Sequence, residues 1–281
     1  MDRPQFISYQ DYQIAVYQEG QGPAIILLHG WPTNALLWQP QVNILKAQHK
    51  VITLDWLGFG QSDKPKDYTY TFTQQKELLN TVLQTVLAPE EKVTLVGHDI
   101  GGPPAILWAQ EHPQRVQQLI LLNTVLYTFS MPLDKQSHFL FKIPLLKQLL
   151  GSSFGLNKIM HSVTPKNSKA ISQHIQTILQ AHQNLSPSLA IKLILEPVEA
   201  GKQDELLSLA TVYKNLPVHK HLIIAQKDPL CSAHILKLQE ENPEVGVDYL
   251  PDCGHYLPVE EGELVGELLL SAISQQAHGA V

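Results

Sequence analysis

The side chain with the clearest chemical potential in this sequence is that of Asp99, because of the glycines around it. It lies at the centre of residues 97–102, Gly-His-Asp-Ile-Gly-Gly, which follow a strand-like run and precede a helical stretch. A strand that reverses sharply into a helix strains its central residue and needs small neighbours two positions away, here Gly97 and Gly101. The pattern is typical of a nucleophile elbow that carries an acid. We expect backbone N–H groups at the amino end of the helix to keep this acid ionised.

An acid at an elbow limits the reactions that the site can catalyse. A serine that attacked a saturated carbon would form an ether, which water cannot cleave, whereas a carboxylate forms an ester that water can hydrolyse. Asp99 therefore predicts attack on an sp3 carbon that bears a leaving group, followed by hydrolysis of the ester. The alternative is that Asp99 merely caps the helix that follows it, because Asp is a favoured capping residue.

Two further side chains and two backbone amides complete the predicted site. His255 follows the last predicted strand and would remove a proton from the hydrolytic water. Asp228 follows the preceding strand and would accept the other imidazole N–H, which fixes the tautomer of the ring. The backbone N–H groups of Trp31 and Ile100 would bind the oxyanion formed during ester hydrolysis. All of these residues come at or after the carboxyl ends of predicted strands, where ligands bind in open parallel sheets.

Short apolar runs that alternate with helical stretches position these residues. After a predicted hairpin in residues 6–18, strands are predicted at 24–28, 51–55, 93–96, 116–122, 221–225 and 245–250. This alternation predicts an α/β fold with a mostly parallel, doubly wound sheet. Between residues 126 and 213 the pattern is helical throughout. We therefore predict a core formed by residues 1–125 and 214–281, with residues 126–213 inserted as a helical lid.

Charge and composition exclude several classes of partner. The 281 residues carry a formal net charge of -6, which gives no electrostatic reason to bind nucleic acid or an anionic membrane. The two cysteines, Cys231 and Cys253, form no disulfide framework, and the sequence shows neither a signal segment nor an apolar run of membrane length. We expect a cytoplasmic protein. The histidines lack metal-ligand spacing, so we expect no metal or cofactor, and a small apolar organic molecule and water as the substrates.

Three segments together carry a family resemblance. His29-Gly30-Trp31-Pro32, residues 58–65 (GFGQSDKP) and residues 97–102 (GHDIGG) resemble the aspartate-nucleophile branch of the α/β-hydrolase superfamily, which includes epoxide hydrolases and haloalkane dehalogenases. The resemblance covers residues 20–123 and 221–275. It implies an α/β-hydrolase fold with an inserted helical lid, and a triad in the order nucleophile, acid and histidine.

Other polar residues near the predicted triad are weaker candidates. Asp252 is close to His255 in sequence, but a residue three positions earlier in a turn is poorly placed to reach the ring. Relatives sometimes carry the acid at the end of the preceding strand, which here is Asn123, and an amide cannot offset the charge of an imidazolium. We expect His29 and His98 to pack and to form hydrogen bonds beneath the loops.

The resemblance leaves the leaving group open between an alkoxide and a halide. Dehalogenases of this kind usually place a tryptophan directly after the nucleophile, where this chain has Ile100, and only Trp31 is left to offer an indole N–H. Epoxide hydrolases use a pair of lid tyrosines, whereas this chain has Tyr127 and Tyr213 at the two ends of the predicted lid. One of these tyrosines, or a lid histidine, would have to act alone.

The predicted substrate-binding residues are therefore Trp31, Tyr127, His138 and Tyr213, with His161 as a further lid histidine. Because one donor suffices for an alkoxide and a halide needs two, we predict an epoxide hydrolase, with a haloalkane dehalogenase as the alternative. A ligand receptor with low turnover on the same fold is a third possibility. A cofactor-free oxidative enzyme ranks below these, because the sequence offers no chromophore signal.

Overall fold

The computed structural model describes residues 1, 3–126, 143–166, 168–182, 184–201 and 205–278. Its central element is an eight-stranded sheet in the order β1-β2-β4-β3-β5-β6-β7-β8. The strands are β1 Gln5–Tyr9, β2 Tyr12–Glu19, β3 Ala24–Leu28, β4 Lys50–Leu54, β5 Val93–Asp99, β6 Val116–Thr124, β7 His219–Ala225 and β8 Gly246–Leu250.

The sheet is mostly parallel. β1 pairs with β2 and β2 with β4 in antiparallel fashion, whereas all pairs from β4 through β3, β5, β6 and β7 to β8 are parallel. The predicted α/β class and mostly parallel sheet are therefore confirmed. The carboxyl ends of β3, β5 and β7 meet at one edge, and this edge positions the site.

The apolar runs are continuous because the parallel strands are covered on both faces. Successive residues of β3 point to opposite sides: Ile26 packs into one buried cluster with Leu79, while Ile25 packs into a second cluster with Trp38 and Val42. Each cluster is completed by helices on its own face of the sheet. An alternating strand with one polar face could not fill both layers.

The helices lie on both faces of the sheet and in the long connection between β6 and β7. They are α1 Gln39–Leu45, α2 Phe72–Val86, α3 Gly102–Glu111, α4 Pro144–Gly151, α5 Ser153–Ser162, α6 Lys169–Gln180, α7 Pro187–Gly201, α8 Glu205–Asn215, α9 Ser232–Glu241, α10 Leu257–Glu260 and α11 Gly262–His278. Helices α4 to α8 all fall between β6 and β7, within or next to the segment for which the sequence predicts a lid.

Local signals define where several helices begin. The side chain of Thr71 accepts a hydrogen bond from the backbone N–H of Gln74 and caps α2, and Ser152 and Ser168 cap α5 and α6 in the same way. The helical segment near the end of the chain is divided into α10 and α11 at Glu261. In the part of the chain that the structure describes, no helix is both long enough and apolar enough to cross a membrane.

Candidate active site

The turn between β5 and α3 holds Asp99 in the left-handed region of backbone conformation, with φ of +51°. The glycines two positions before and after Asp99 have no room for a side chain. A Cβ on Gly97 would lie 2.7 Å from the Cα of Gly102, and a Cβ on Gly101 would lie 2.5 Å from the carbonyl oxygen of Leu28. Such distances are well below van der Waals contact, so both positions require glycine. The elbow predicted from the glycine spacing is thus present as a strained turn.

Two backbone amides hold the Asp99 carboxylate. The N–H of Trp31 donates to Oδ2 at 2.8 Å, and the N–H of Ile100 also donates to the carboxylate. The structure therefore brings together both amides that the sequence predicted for the oxyanion. Gly30 makes this approach possible, because a Cβ at that position would lie 2.4 Å from Oδ2 of Asp99.

The ionised form of Asp99 is less favoured than the sequence predicted. Complete burial raises the pKa of Asp99 above its ordinary value, while His255 and the N–H groups of Trp31 and Ile100 oppose this rise. The expectation that N–H groups at the helix terminus favour the ionised acid left out the cost of removing the carboxylate from water, and this cost raises the pKa. The ionised form depends on the histidine and on the two amides.

His255 lies between the two predicted acids. Its Nδ1 is 2.9 Å from Oδ2 of Asp228, and its Nε2 is 4.0 Å from Oδ1 of Asp99. Burial disfavours the charged ring, but Asp228, followed by Asp99 and Glu260, outweighs it and raises the pKa of His255 to about 9. Burial also disfavours the charged form of Asp228, but the charge and hydrogen bond of His255 lower its pKa to about 2. An ionised Asp228 therefore orients and stabilises the imidazolium.

Asn123 helps to hold Asp228. Its Nδ2 donates to Oδ2 of Asp228 at 2.7 Å, and the backbone N–H of Leu230 donates to Oδ1 at 2.7 Å. Asn123 was rejected as the acid of the triad because an amide cannot offset the charge of an imidazolium, and its role as a donor to Asp228 was not predicted. Its position at the end of β6 was the available signal for the donor role. The rival acid Asp252 forms a surface ion pair with Lys227 at 2.7 Å.

Two buried histidines support the loops, in line with their predicted packing role. Nε2 of His98 donates to the backbone oxygen of His255 at 2.8 Å, and burial lowers the pKa of His98 to about 3. Nδ1 of His29 donates to the oxygen of Gly30 at 2.9 Å, while its Nε2 accepts from the N–H of Trp56 at 3.1 Å. Both rings are therefore neutral at pH 7 and position the backbone on either side of the site.

A largely apolar cavity of about 300 Å³ opens beside Asp99 and His255. The core lines it with Trp31, Asp99, Pro229, Leu230, Cys231 and His255. The inserted helices line it with Ile159, Ser162, Val163 and Ile194. A more open depression of about 520 Å³ between α5 and α6 contains His161 but none of the three predicted catalytic residues. The smaller cavity is therefore the one that gives a substrate access to the carboxylate.

Of the predicted substrate-binding residues that the structure describes, one lines the cavity and one does not. Trp31 lines the cavity, but its Nε1 donates to the backbone oxygen of Ala190 at 2.7 Å and so is not available to a leaving group. Tyr213 is fully buried on α8, which packs on α3, and it does not line the cavity. The sequence predicted that Tyr213 lies in a helical segment, but not which way its side chain points. Tyr127 and His138 lie outside the described residues.

One cluster in the described part of the chain has metal-ligating atoms close together. Atoms of Asp228, Cys231 and His255 lie within 4.8 Å of one another. The hydrogen bond of 2.9 Å between His255 and Asp228 is too short to admit a cation between them, and burial raises the pKa of the Cys231 thiol well above its ordinary value. The donor set therefore fits a hydrogen-bonded pair beside a neutral thiol better than a metal site.

Comparisons with known proteins agree with this architecture. A family model described as "alpha/beta hydrolase fold" matches residues 23–261. The chain is 28% identical to a cis-3-alkyl-4-alkyloxetan-2-one decarboxylase from Shewanella oneidensis over 264 residues, which cover 90% of this chain and 82% of the relative. It is 32% identical to a haloalkane dehalogenase from Agrobacterium fabrum over 114 residues, which cover 41% of this chain and 36% of that relative. An esterase structure from Exiguobacterium antarcticum has a TM-score of 0.77 at 21% identity, and the match covers 96% of this chain and 99% of the esterase.

Proposed function

Because the chain belongs to the α/β-hydrolase fold family, matched over residues 23–261, we propose that it is a hydrolase whose Asp99 forms an ester with a small apolar substrate. One observation supports this proposal above all. The carboxylate of Asp99 faces an apolar cavity, with Oδ2 bound by the backbone N–H of Trp31 and Oδ1 4.0 Å from Nε2 of His255. This arrangement suits a nucleophile better than a helix cap.

In the first step, Oδ1 of Asp99 attacks an sp3 carbon of the bound substrate. The new bond joins Oδ1 to that carbon, and the leaving group departs with the electron pair of the broken bond. Oδ2 keeps its hydrogen bond to the N–H of Trp31. The carboxylate becomes a neutral ester, which removes one negative charge from the surroundings of His255.

In the second step, His255 acts as a general base. Asp99 is one of the carboxylates that raise the pKa of His255 to about 9, so its conversion to an ester moves that pKa down towards neutrality. The ring can then take a proton from a water molecule that attacks Cγ of Asp99. The oxyanion is stabilised by the amides of Trp31 and Ile100. Its collapse breaks the bond between Cγ and Oδ1, and Oδ1 leaves with the substrate carbon and takes the proton from His255 to give the product alcohol.

The inserted helices have the proposed role of a lid. Ile159, Ser162 and Val163 at the end of α5, together with Ile194 of α7, cover the cavity opposite the core residues. Their mostly apolar surface favours a small apolar substrate and limits the access of bulk water. The same enclosure suits a receptor that holds its ligand without turnover, a case that the experiment below distinguishes.

We propose a strained oxygen ring as the electrophile, with epoxides as the first class to test. An epoxide opens to an alkoxide, which needs a proton donor on the side away from Asp99. In the described lining of the cavity, Ser162 is the residue nearest to this role, but its hydroxyl donates to the backbone oxygen of Ile159 at 2.7 Å. Tyr127 and His138 therefore remain the candidate donors for an epoxide.

An oxetan-2-one is the second candidate, because its ring opening needs no such donor. Attack of Asp99 on the ring carbon next to oxygen releases a carboxylate, which is a weak base and leaves without protonation. Loss of carbon dioxide would then form a carbon–carbon double bond and return the electron pair to Asp99. The chain resembles an oxetan-2-one decarboxylase over most of its length, and this supports the candidate. A haloalkane is less favoured, since Ile100 follows the nucleophile and the indole N–H of Trp31 is bound to Ala190.

Trapping the ester in a His255→Gln variant tests the proposal. The variant is incubated with an epoxide, a cis-dialkyl oxetan-2-one and a 1-haloalkane of similar length, and the intact protein and its peptides are weighed. An epoxide adds its whole mass to Asp99, and a haloalkane adds its mass without hydrogen halide. An oxetan-2-one adds its whole mass or releases an alkene and carbon dioxide. Asp99→Asn is the control and should give neither adduct nor product.

The proposal is overturned if an adduct forms on a residue other than Asp99. It is also overturned if compounds of the panel bind in the cavity of the wild-type protein and none of them yields product or adduct. That second result would identify a receptor.

A further inference from the structure

Residues 163–166, which begin the connection from α5 to α6, lie against the loop that carries His255. The backbone N–H of His255 donates to the oxygen of Val163 at 2.9 Å. A Cβ on Gly254 would lie 2.2 Å from Cδ of Pro165 and 2.4 Å from the oxygen of Val163, so the two segments are in direct backbone contact. Val163 also lines the cavity. One short segment of the insertion thus forms part of the substrate wall and holds the histidine backbone.

Glu260, at the end of α10, joins these two segments through one carboxylate. The N–H of Gly254 donates to Oε1 at 3.1 Å and to Oε2 at 3.2 Å, and the N–H of Lys166 donates to Oε2 at 3.2 Å. The residue is only 7% exposed. Burying a carboxylate is costly unless its oxygens accept hydrogen bonds, and here both accept them from backbone donors. The neighbouring Glu261 instead pairs with the side chain of Lys166.

We propose that Glu260 is a positioning residue for His255, which it serves by fastening residues 163–166 to the histidine loop and by adding negative charge beside the imidazole. The proposal rests on the proposed function, in which His255 is the base. Glu260 touches neither the cavity nor the reacting atoms. It acts through the backbone of Gly254 and through its charge.

The electrostatic part of the proposal involves every charged group that faces His255. Asp99 from β5, Asp228 after β7 and Glu260 from α10 all raise its pKa, and burial opposes them. The neighbouring side chains of His98, Tyr256 and Cys231 are neutral at pH 7, since burial lowers the pKa of His98 and raises those of Tyr256 and Cys231. Burial raises the pKa of Glu260, while the N–H groups of Lys166 and Gly254 and the charges of His255 and Lys166 oppose that rise.

A charge-neutral variant tests this role without any substrate. In Glu260→Gln, we expect the imidazole pKa of His255, followed by NMR titration, to fall, because one of the carboxylates that raise it is removed. We also expect faster hydrogen exchange at the His255 amide, because Gln offers one acceptor oxygen where Glu offers two. The His255→Gln variant assigns the signal. Glu263→Gln, an equal charge change at an exposed position of α11, is the matched control and should leave both readouts unchanged.

With a substrate found by the trapping experiment, Glu260→Gln should also move the acid limb of the pH–rate profile to lower pH. Hydrolysis needs neutral His255, so a lower pKa extends the active range downwards by the same shift. A purely structural role would lower the rate without moving the limb. Glu260→Asp, which keeps the charge, should return the limb towards its wild-type position.

The proposal is overturned if Glu260→Gln matches Glu263→Gln in both titration and amide exchange. If Glu260→Gln does not fold, Gly254→Ala provides the second test, because its Cβ displaces residues 163–166 without a change of charge. It should speed exchange at the His255 amide, and unchanged exchange contradicts the fastening role. Neither readout uses substrate, so a failure to trap an ester on Asp99 overturns the proposed function separately.

Discussion

Asp99 and Asp228 are both buried carboxylates, and their different surroundings explain their different proposed roles. Asp228 accepts hydrogen bonds from His255, from Asn123 and from the N–H of Leu230, and its pKa is lowered to about 2. Asp99 accepts from backbone amides and has a raised pKa. A carboxylate held firmly in its charged form suits the partner of an imidazolium, whereas a poorly solvated one suits a nucleophile.

Removal of the charge of Asp228 should separate the two steps of the reaction. In Asp228→Asn, we expect ester hydrolysis to slow by about 10³- to 10⁴-fold, because the ring loses its tautomer and its stabilising charge. Formation of the Asp99 ester should be affected much less, since that step requires no proton transfer to His255. Rapid-quench mass spectrometry should therefore show the ester accumulating. Asp252→Asn, a change of the same kind in a surface ion pair, should behave like the wild type.

At this scale the sequence predicted residue identities better than residue environments. Asp228 was chosen over Asp252 and Asn123 from strand-end position and charge alone, and the structure places it against His255. The donor role of Asn123 was missed, because it depends on contact between residues 105 positions apart in the chain. The raised pKa of Asp99 was missed for the same reason, since burial is a property of the assembled fold.

At the scale of elements, the loops after β3 and β4 are held together by one neutral histidine. Nδ1–H of His29 donates to Gly30, its Nε2 accepts from the N–H of Trp56, and the indole of Trp56 donates back to the oxygen of His29 at 2.9 Å. A second proton on His29 would face the N–H of Trp56 and break that contact. Burial lowers the pKa of His29 to about 3, although its hydrogen bond to Gly30 opposes the shift.

The free energy of unfolding should therefore depend on the ionisation of His29. Its pKa is about 3 in the folded protein and 6.5 in the unfolded chain, so the unfolded state binds more protons between these values. The free energy of unfolding therefore falls as the pH falls from 6.5 towards 3. In His29→Gln, the change in the free energy of unfolding with pH should be smaller by at most about 1.4 kcal/mol per pH unit, whatever the variant's absolute stability. Denaturant titrations at several pH values measure it, and an unchanged slope contradicts a neutral buried ring.

The indole of Trp31 connects another pair of elements, the loop after β3 and helix α7, through its hydrogen bond to Ala190. We expect Trp31→Phe to lower the free energy of unfolding by about 1 kcal/mol or somewhat more, since a buried hydrogen bond is lost. Amide exchange in α7 should become faster. Trp108→Phe is the control, because it removes a bond to Asn80 within the core and should leave exchange in α7 unchanged. If amide exchange in α7 is equal in Trp31→Phe and Trp108→Phe, the proposed attachment of α7 to the loop after β3 is contradicted.

At the scale of the whole molecule, the sheet was predictable and the docking of the insertion was not. Apolar runs that are buried on both faces have few alternatives to parallel strands, and their alternation with helices predicted a doubly wound sheet. By contrast, the helical pattern of residues 126–213 does not specify which side of each helix meets the core. Tyr213 was therefore predicted as a substrate residue, although α8 packs on α3 and buries this side chain away from the cavity.

The assembled molecule also explains why the proposed base is tied to the insertion. The cavity has one wall from the core and one from α5 and α7, and residues 163–166 reach from that second wall to the backbone of His255. Changes in how the insertion docks would thus alter both the shape of the substrate site and the position of the base. This coupling is the physical reason to measure His255 itself, rather than activity alone, in variants of Glu260.

A single turnover in water labelled with heavy oxygen tests the central claim most directly, using wild-type enzyme in excess over a substrate that gives the Asp99 adduct. If water attacks Cγ of Asp99, the label enters the carboxylate of that residue, and the product of the first turnover carries ordinary oxygen from the protein. We expect the heavy mass on the peptide that contains Asp99 and none on the product. Label in the product, with an unlabelled Asp99 peptide, would contradict the ester intermediate.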